Sequence, residues 1–182
     1  MSNYRRERLA GGVFFFTLVT AGRRPILTMD VARRCLRDAI SEVRGKSPFG
    51  VEAWVLLPDH LHCIWTLPGG DVDFSKRWGL IKTGFSKRAK GMLEDASLES
   101  VSRRKHREST IWQRRFWEHR IRNEEDYRRH MDYIHFNPVK HGLVECVRDW
   151  SYSTFHRYVQ AGIYPVSWGS ESVTNVDGEF GE

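Results

Sequence analysis

The most constraining feature of the sequence is a pair of apolar segments joined by only two residues. Residues 51–57 and 60–67 are rich in valine, leucine, isoleucine and tryptophan, and Pro58-Asp59 lies between them. Proline and aspartate favour tight turns, and strands joined by so short a connection are antiparallel. We therefore predict a β-hairpin, which requires an antiparallel sheet in the fold.

Hydrophobic periodicity places further elements on both sides of the hairpin. It predicts, in chain order, a strand over 13–20, a helix over 30–44, a basic helix from 74 to about 93, a loop over 94–109, a strand over 116–122, a helix from 124 that must stop near Pro138, and a short helix over 154–161. This is the element order of a ferredoxin-like α+β sandwich. We predict a central antiparallel sheet and an added C-terminal helix that carries Tyr133, in one domain over residues 1–168. Residues 169–182 are predicted to be an acidic, mobile tail.

Charge is distributed unevenly along the chain. The 182 residues carry a net charge of +6, and no lysine or arginine follows Arg157, whereas four acidic residues do. The first 157 residues therefore carry +10. A basic body of this kind attracts polyphosphate, including nucleic acid. A solvated basic surface is the alternative interpretation of the same charge.

Composition also limits the class of protein and its compartment. No apolar run approaches the ~20 residues that span a bilayer, and the first residues lack the apolar core of a signal peptide. The three cysteines, Cys35, Cys63 and Cys146, have no CxxC spacing. Their spacing fits a reducing compartment and argues against a thiolate zinc site. We expect a cytoplasmic, nucleoid-associated protein without membrane contact.

Two histidines follow the predicted turn at alternate positions. His60 and His62 lie on one face of the predicted strand, because side chains i and i+2 of a strand point the same way. Two imidazoles on a rigid strand can converge on one metal ion. Histidines at this spacing are also found at ordinary surface and core positions.

A second pair of polar residues lies on the helix predicted from residue 124. Tyr133 and Asn137 are four residues apart, so their side chains share one helical face. A tyrosine at such a position is commonly part of an amphipathic core, and an asparagine before a proline is commonly a helix-end cap. Neither the histidine pair nor this pair defines a function alone.

Five ordered segments together give the chain a family resemblance. They are Tyr4-Arg5-Arg6 with GGVFFFT (11–17), WVLLPDHLHCIW (54–65), IWQRRFWEH (111–119), DYIHFNPVKHG (132–142) and DWSYSTFH (149–156). In this order they resemble the single-tyrosine HUH transposases and, more closely, the REP-associated tyrosine transposases. The resemblance extends over residues 4–168, nearly the whole chain.

The resemblance implies a chemical role for each of these polar residues. His60 and His62 match the HUH metal ligands, Tyr133 matches the nucleophile, and Asn137 stands at the place of the third, amide ligand. Two imidazoles and an amide oxygen suit Mg²⁺ or Mn²⁺. The implied reaction is metal-dependent cleavage and rejoining of single-stranded DNA through a 5′-phosphotyrosine. No phosphate-binding loop motif is present, so we expect no nucleotide cofactor.

The resemblance also implies a DNA hairpin as partner, of the repetitive extragenic palindrome type. Residues 74–93 contain no acid, and basic residues interleave with aromatic ones further along. The predicted DNA-binding residues are Arg5, Arg6, Arg8, Lys82, Lys87, Arg88, Trp112, Arg114 and Arg115. The resemblance points to a monomer.

Two further histidines are auxiliary candidates. His130, one turn before Tyr133, is a candidate base for the phenol, and a structural or DNA-facing role is its alternative; His119 is the second candidate. Three other classes of protein are alternatives to the transposase. A non-catalytic hairpin-binding protein would bind without cleaving, a replication initiator or relaxase would need a longer chain, and a zinc hydrolase would need a further ligand.

Overall fold

A computed structural model describes residues 11–106 and 108–170 of the chain. Its centre is a four-stranded sheet in the order β2-β3-β1-β4, in which each neighbouring pair is antiparallel. The strands are β1 (Gly12–Val19), β2 (Gly50–Leu56), β3 (His60–Leu67) and β4 (Trp117–Arg120). The predicted hairpin is confirmed, because the Leu57 backbone N–H donates to the His60 carbonyl at 2.9 Å across the turn.

Within the described residues, five α-helices accompany the sheet. They are α1 (Asp30–Lys46), α2 (Phe74–Arg88), α3 (Val101–Lys105), α4 (Glu124–Lys140) and α5 (Phe155–Gln160). Helices α1 and α2 share one hydrophobic core with the sheet, and α4 belongs to a second core on the opposite face. This arrangement confirms the predicted ferredoxin-like sandwich, with an added C-terminal helix that carries Tyr133.

Three consecutive phenylalanines in β1 build both cores. Because side chains alternate along a strand, Phe14 and Phe16 face α1 and α2, whereas Phe15 faces α4. On the first face, Phe16 contacts Trp65, whose indole stacks on Trp78 of α2 with 4.0 Å between the ring centroids. The run of apolar residues in β1 reflects the burial of this central strand on both faces.

The end of α2 and the segment after it differ from the sequence prediction. The helix ends at Arg88 rather than near residue 93, and Gly91 then adopts a φ of +75°, which glycine tolerates beyond a helix end. The segment predicted as a loop contains a short 3-10 turn and α3. The side chains of Asp95 and Ser100 cap these two turns by accepting backbone N–H groups.

Helix α4 ends later than predicted. It continues past Pro138 to Lys140. A proline removes one backbone donor, but this one lies in the last turn, where the Asn137 carbonyl still accepts the His141 N–H at 3.0 Å. The helix that carries Tyr133 is therefore two residues longer than the sequence predicts.

The other boundaries lie within two residues of the predicted ones. Strand β4 covers four residues rather than seven, although the Ile121 N–H still donates to the Val13 carbonyl at 2.9 Å beyond it. Asn123 caps α4, with its side chain accepting the Asp126 backbone N–H at 2.9 Å. The start of α4 is therefore fixed next to the end of β4.

Two predictions fall outside the described residues. One is the basic arm with Arg5, Arg6 and Arg8, and the other is the acidic tail beyond its first two residues. Within the described ranges, none of the helices has the length and apolar character required to cross a bilayer.

The outer face of α4 packs against the C-terminal segment. The His135 ring lies 5.2 to 5.8 Å, between centroids, from the rings of Phe155, Tyr158 and Tyr164. The Thr154 hydroxyl lies 3.1 Å from its Nε2 atom. Burial lowers the pKa of His135 to about 3. The same segment bonds to the edge strand β2, where the Thr154 N–H donates to the Trp54 carbonyl at 2.9 Å, so these contacts tie α4 to the edge of the sheet.

We expect His135 to make folding stability depend on pH. The unfolded ring takes up a proton near its ordinary pKa of 6.5, whereas the folded ring stays neutral until about pH 3. The contribution of the neutral ring to stability is therefore complete above pH 6.5 and is lost as the pH falls toward 3, with a slope that approaches about 1.4 kcal/mol per pH unit. Chemical denaturation of the parent protein and His135→Gln, from about pH 8 to about pH 4, measures the difference.

The Gln variant should show the flatter pH dependence. Thr154→Val is the matched control, since it removes a hydrogen-bond partner of the ring and keeps the ring itself. It should lower the free energy of unfolding at every pH and keep the parent slope. An unchanged slope in His135→Gln would contradict this assignment.

Candidate active site

The histidine pair lies on the sheet face that α4 covers. Within β3, His60 and His62 are buried, and 4.9 Å separates their ring centroids. His62 pairs with Thr17 of β1, which shares its face of the sheet with Phe15. The alternate residue Leu61 lies in the core on the other face. The spacing in the sequence therefore predicts the side of the sheet correctly.

Both imidazoles are oriented through their Nδ1 atoms. His60 Nδ1 lies 2.6 Å from the Asp59 carboxylate, and His62 Nδ1 lies 2.8 Å from the Thr17 hydroxyl. A neutral ring that donates from Nδ1 carries its lone pair on Nε2, and both Nε2 atoms are buried. Such outer contacts fix the ring orientation of metal-binding histidines.

Asp59 is itself held in its ionised form. Burial acts to raise its pKa, but the hydrogen bond to His60 and the guanidinium of Arg23 hold the pKa of Asp59 below its ordinary value. The Arg23 guanidinium lies 3.2 Å from the carboxylate. A carboxylate behind an imidazole favours the proton on the nitrogen facing it, which leaves the far nitrogen as the ligand atom.

Tyr133 is brought directly onto the histidine pair. Its ring is 1 % exposed, and its centroid lies 5.2 Å from that of His62. Phe15 contacts both residues, with centroid distances of 5.5 Å to His62 and 6.1 Å to Tyr133. The structure thus brings Tyr133 and His62 into direct ring contact.

Asn137 lies between two ring contacts on the same helical face. Tyr133, Asn137 and His141 are spaced by four residues along and just beyond α4, so they form one stripe. At one end of the stripe Tyr133 contacts His62, and at the other end the His141 ring lies 5.0 Å from that of His60. Asn137 is fully buried between them. Its side chain therefore faces the same strand as its neighbours on the stripe.

The donor set fits a divalent cation that prefers nitrogen and oxygen. Two imidazoles and one amide can occupy three positions of a six-coordinate ion and leave the others for water or phosphate oxygen. Cys63 follows His62 in the chain but lies in the core on the opposite face, where burial raises the pKa of its thiol well above the ordinary value. The set is thus free of thiolate, as the sequence predicts.

Two residues at the end of α4 are absent from the set predicted by the sequence. The Lys140 ammonium lies 3.4 Å from the Tyr133 hydroxyl oxygen and 4.9 Å from the centre of its ring. His141 contacts His60, as described above. Both lie beyond the predicted end of the helix at Pro138. Lys140 and His141 follow Tyr133 by seven and eight residues, which is about two helical turns. This spacing would have placed them on the same helical face as Tyr133.

The two auxiliary histidines have other partners. His130 Nδ1 lies 2.8 Å from the backbone carbonyl of Asp126, and His119 Nε2 lies 2.8 Å from the Asp126 carboxylate. Their two rings stack at 4.6 Å. The base role predicted for His130 stays a prediction.

Some of the predicted DNA-binding residues line one groove. It has a volume of about 550 Å³ and lies between α2 and the residues that precede β4. Its lining includes the predicted residues Lys82, Lys87, Trp112 and Arg114, together with Glu94 and Glu108. Arg88 pairs with Glu42 of α1 at 2.8 Å instead. Arg115 is exposed but does not line the groove.

Trp112 is largely buried, and its predicted role as a surface on which bases stack stays a prediction. It is 4 % exposed, and its ring packs edge-on against Phe85 at 5.2 Å. Its backbone bridges to Thr20, and the next residue, Gln113, donates to the Val19 carbonyl at 3.0 Å. These bonds draw the segment onto the end of β1, so the indole packs in the core at the bottom of the groove that it also lines.

Comparison with known proteins yields close relatives. No family model matches the chain. It is 48% identical over 171 residues to the REP-associated tyrosine transposase of Escherichia coli strain K12, covering 94% of this chain and 93% of the relative. A Haemophilus influenzae protein given the same family name is 42% identical over 180 residues, covering 99% and 100%. A solved structure of a REP-associated tyrosine transposase bound to a REP hairpin superposes with a TM-score of 0.81 at 46% identity, covering 98% of this chain and 95% of that one.

Proposed function

The chain belongs to the REP-associated tyrosine transposases, and we propose that it cleaves and rejoins single-stranded DNA beside REP-type hairpins. The observation that carries this proposal is the contact of Tyr133 with His62, on a helical face that also presents Asn137. The hairpin bound in the related structure supports the choice of substrate. The reaction is a metal-dependent transesterification with a 5′-phosphotyrosine intermediate.

The proposed chemistry begins at the Tyr133 hydroxyl. Its oxygen attacks the scissile phosphorus and forms a phosphotyrosine bond, while the bond from phosphorus to the 3′ oxygen breaks. The phenol loses one proton and the departing 3′ oxygen gains one, so the protons balance. No atom changes its oxidation state, so the step needs no redox or nucleotide cofactor. Because the phosphodiester is conserved, attack by another 3′ hydroxyl reverses the step and joins strands without ATP.

His60, His62 and Asn137 are the residues that would hold the divalent ion in this proposal. When bound, the ion supplies Lewis-acid polarisation of the scissile phosphate. Asp59 and Thr17 keep the two imidazoles in the ligating orientation. Phe15 and the burial of Tyr133 keep the phenol against His62 rather than in solvent.

Lys140 supports the nucleophile by its charge. An ammonium 3.4 Å from the phenol oxygen stabilises the phenolate, which is the attacking form. The ammonium group lies close enough to the attacking oxygen to also face the incoming phosphate. We therefore include Lys140 in the proposed catalytic set, next to Tyr133.

The groove beside α2 is the proposed track for the DNA backbone. Lys87 and Lys90 line it and have exposed side chains, and Lys82 adds a third positive charge. Arg114 also lines the groove, where it pairs with Glu108 at 2.7 Å. The rim of the groove meets the end of β1, where Val19 pairs with His60. A strand that leaves the groove over this end of the sheet reaches the face where the histidine pair lies.

Removal of the Tyr133 hydroxyl tests the whole proposal. A labelled single strand carrying a REP-type palindrome is incubated with the parent protein or with Tyr133→Phe, in Mg²⁺ or EDTA. The parent with Mg²⁺ should give a cut strand and a protein–DNA adduct that resists denaturation. Tyr133→Phe should give neither and should still bind the hairpin, because only the attacking oxygen is lost.

Tyr127→Phe is the matched control for this assay. It removes a hydroxyl six residues earlier on the same helix, at a residue packed in the α4-side core, so the adduct should persist. A cut that survives in Tyr133→Phe contradicts the proposed nucleophile. Hairpin binding by the parent without any cut or adduct would support a non-catalytic binding protein instead.

Lys140→Met should slow cleavage by roughly 10- to 100-fold near neutral pH, since a cation this close favours the phenolate. The deficit should shrink as the pH is raised, because alkali then supplies the phenolate. Lys140→Arg should restore part of the rate. Single-turnover cleavage measured as a function of pH provides the profile.

Lys46→Met serves as the control for the loss of one lysine. Lys46 lies on α1, where it pairs with Glu42, and its removal should leave the profile unchanged. The proposal for Lys140 concerns the rate of cleavage and requires no change in hairpin affinity. Equal rates for the parent and Lys140→Met at all pH values would remove Lys140 from the mechanism.

The groove is tested by the salt dependence of hairpin binding. Lys87→Ala with Lys90→Ala should weaken binding, and the slope of log Kd against log salt should fall by about 1.4 to 1.8 if each lysine contacts one phosphate. Arg34→Ala with Arg37→Ala, two exposed positions of α1, is the charge-matched control. Equal changes in both double variants would indicate a diffuse charge effect and would refute a groove.

A further inference from the structure

A second cluster of metal-ligating side chains lies outside the proposed active site. It consists of His119 on β4 and Asp126 and His130 in the first two turns of α4. None of the three belongs to the HUH pair or to the stripe that begins at Tyr133. The cluster spans the junction between the edge strand of the sheet and the helix that carries the nucleophile.

Three donor atoms converge within this cluster. His119 Nε2 lies 2.8 Å from one Asp126 carboxylate oxygen, and His130 Nδ1 lies 3.0 Å from the other. One ligand atom from each residue lies within 4.8 Å of those of the other two. Donors that share a tetrahedral ion at about 2 Å lie about 3.3 Å apart, so the widest pair has to close by at most about 1.5 Å.

The donors are held in place by their surroundings. Asp126 accepts the Arg122 backbone N–H at 2.9 Å. His130 is 5 % exposed and packs on Phe15 at 4.8 Å between ring centroids. Trp117 lies parallel to the His119 ring at 5.9 Å. A ligand set whose rotamers are locked in this way loses little entropy on binding an ion.

The electrostatics of the cluster also suit a ligand set. Burial lowers the pKa of His130, so its ring is neutral at neutral pH. Burial acts to raise the pKa of Asp126, but the His119 hydrogen bond and the Arg122 N–H hold it below the ordinary value, so the carboxylate is ionised. This carboxylate supplies a negative charge for a dication to neutralise.

We infer that His119, Asp126 and His130 form a second metal site, selective for Zn²⁺ and similar transition ions. Two imidazoles with one carboxylate are a ligand set for such ions, whereas Mg²⁺ prefers oxygen. On binding, each neutral ring carries its proton on the nitrogen that faces away from the carboxylate, and the ion takes the place of the N–H group between ring and carboxylate. It joins β4 to α4, so its binding stabilises the docking of the helix that carries Tyr133.

Zn²⁺ binding to a variant without the HUH pair tests this site. The background is His60→Ala with His62→Ala, and bound metal is measured by equilibrium dialysis in excess Mg²⁺. One equivalent of Zn²⁺ is expected, with a rise in Tm of roughly 5–10 °C at about 100-fold excess over Kd. Adding His119→Ala or Asp126→Asn should abolish both effects, and adding His106→Gln, an exposed histidine on another helix end, should abolish neither.

The parent chain provides a second measurement should the double variant fail to fold. It should bind two equivalents of Zn²⁺, one at each site, and His119→Ala should bind one. A folded double variant that binds no Zn²⁺ overturns the second site. So does Zn²⁺ binding that persists in that background after both His119→Ala and Asp126→Asn. Neither result depends on cleavage, so both are independent of the proposed function.

Discussion

The contact of Phe15 with α4 is the interaction on which the rest of the structure depends. This one ring touches His62, His130, Tyr133 and Trp117. A buried aromatic residue contributes stability by removing a large apolar surface from water, and here the surfaces it covers belong to a strand and a helix far apart in the chain. The packing that stabilises α4 on the sheet is thus the same packing that places a phenol beside two imidazoles.

Much of the fold follows from local patterns. The Pro58-Asp59 turn defines a hairpin, and alternation in that hairpin places His60 and His62 on one face whatever the rest of the chain does. The face of α4 could be predicted for the same reason, because Tyr133 and Asn137 are related by helical periodicity alone. Strand alternation and helical periodicity can be predicted from the sequence because a few neighbouring residues determine them.

Other features could not be predicted from the sequence, because each depends on contacts between distant residues or on single side chains. The basic residues around Trp112 indicate an exposed surface, but a bridge to Thr20 draws the indole into the core. Helix α4 extends beyond its predicted end because a proline in the last turn removes only one backbone hydrogen bond. The two additional residues include Lys140, which contacts the Tyr133 hydroxyl. The caps in residues 94–106 escape prediction because single Asp and Ser side chains decide them.

The position of Tyr133 on a helix packed on two sides has a mechanical consequence. In the proposed reaction a DNA strand becomes covalently attached to α4, so tension in the strand acts on that helix. The load is shared by the Asn123 cap, by Phe15 beneath the helix and by the cluster around His135 beside it. A helix held at its start and at two places along its length can carry such a force as a unit, without unfolding one turn at a time.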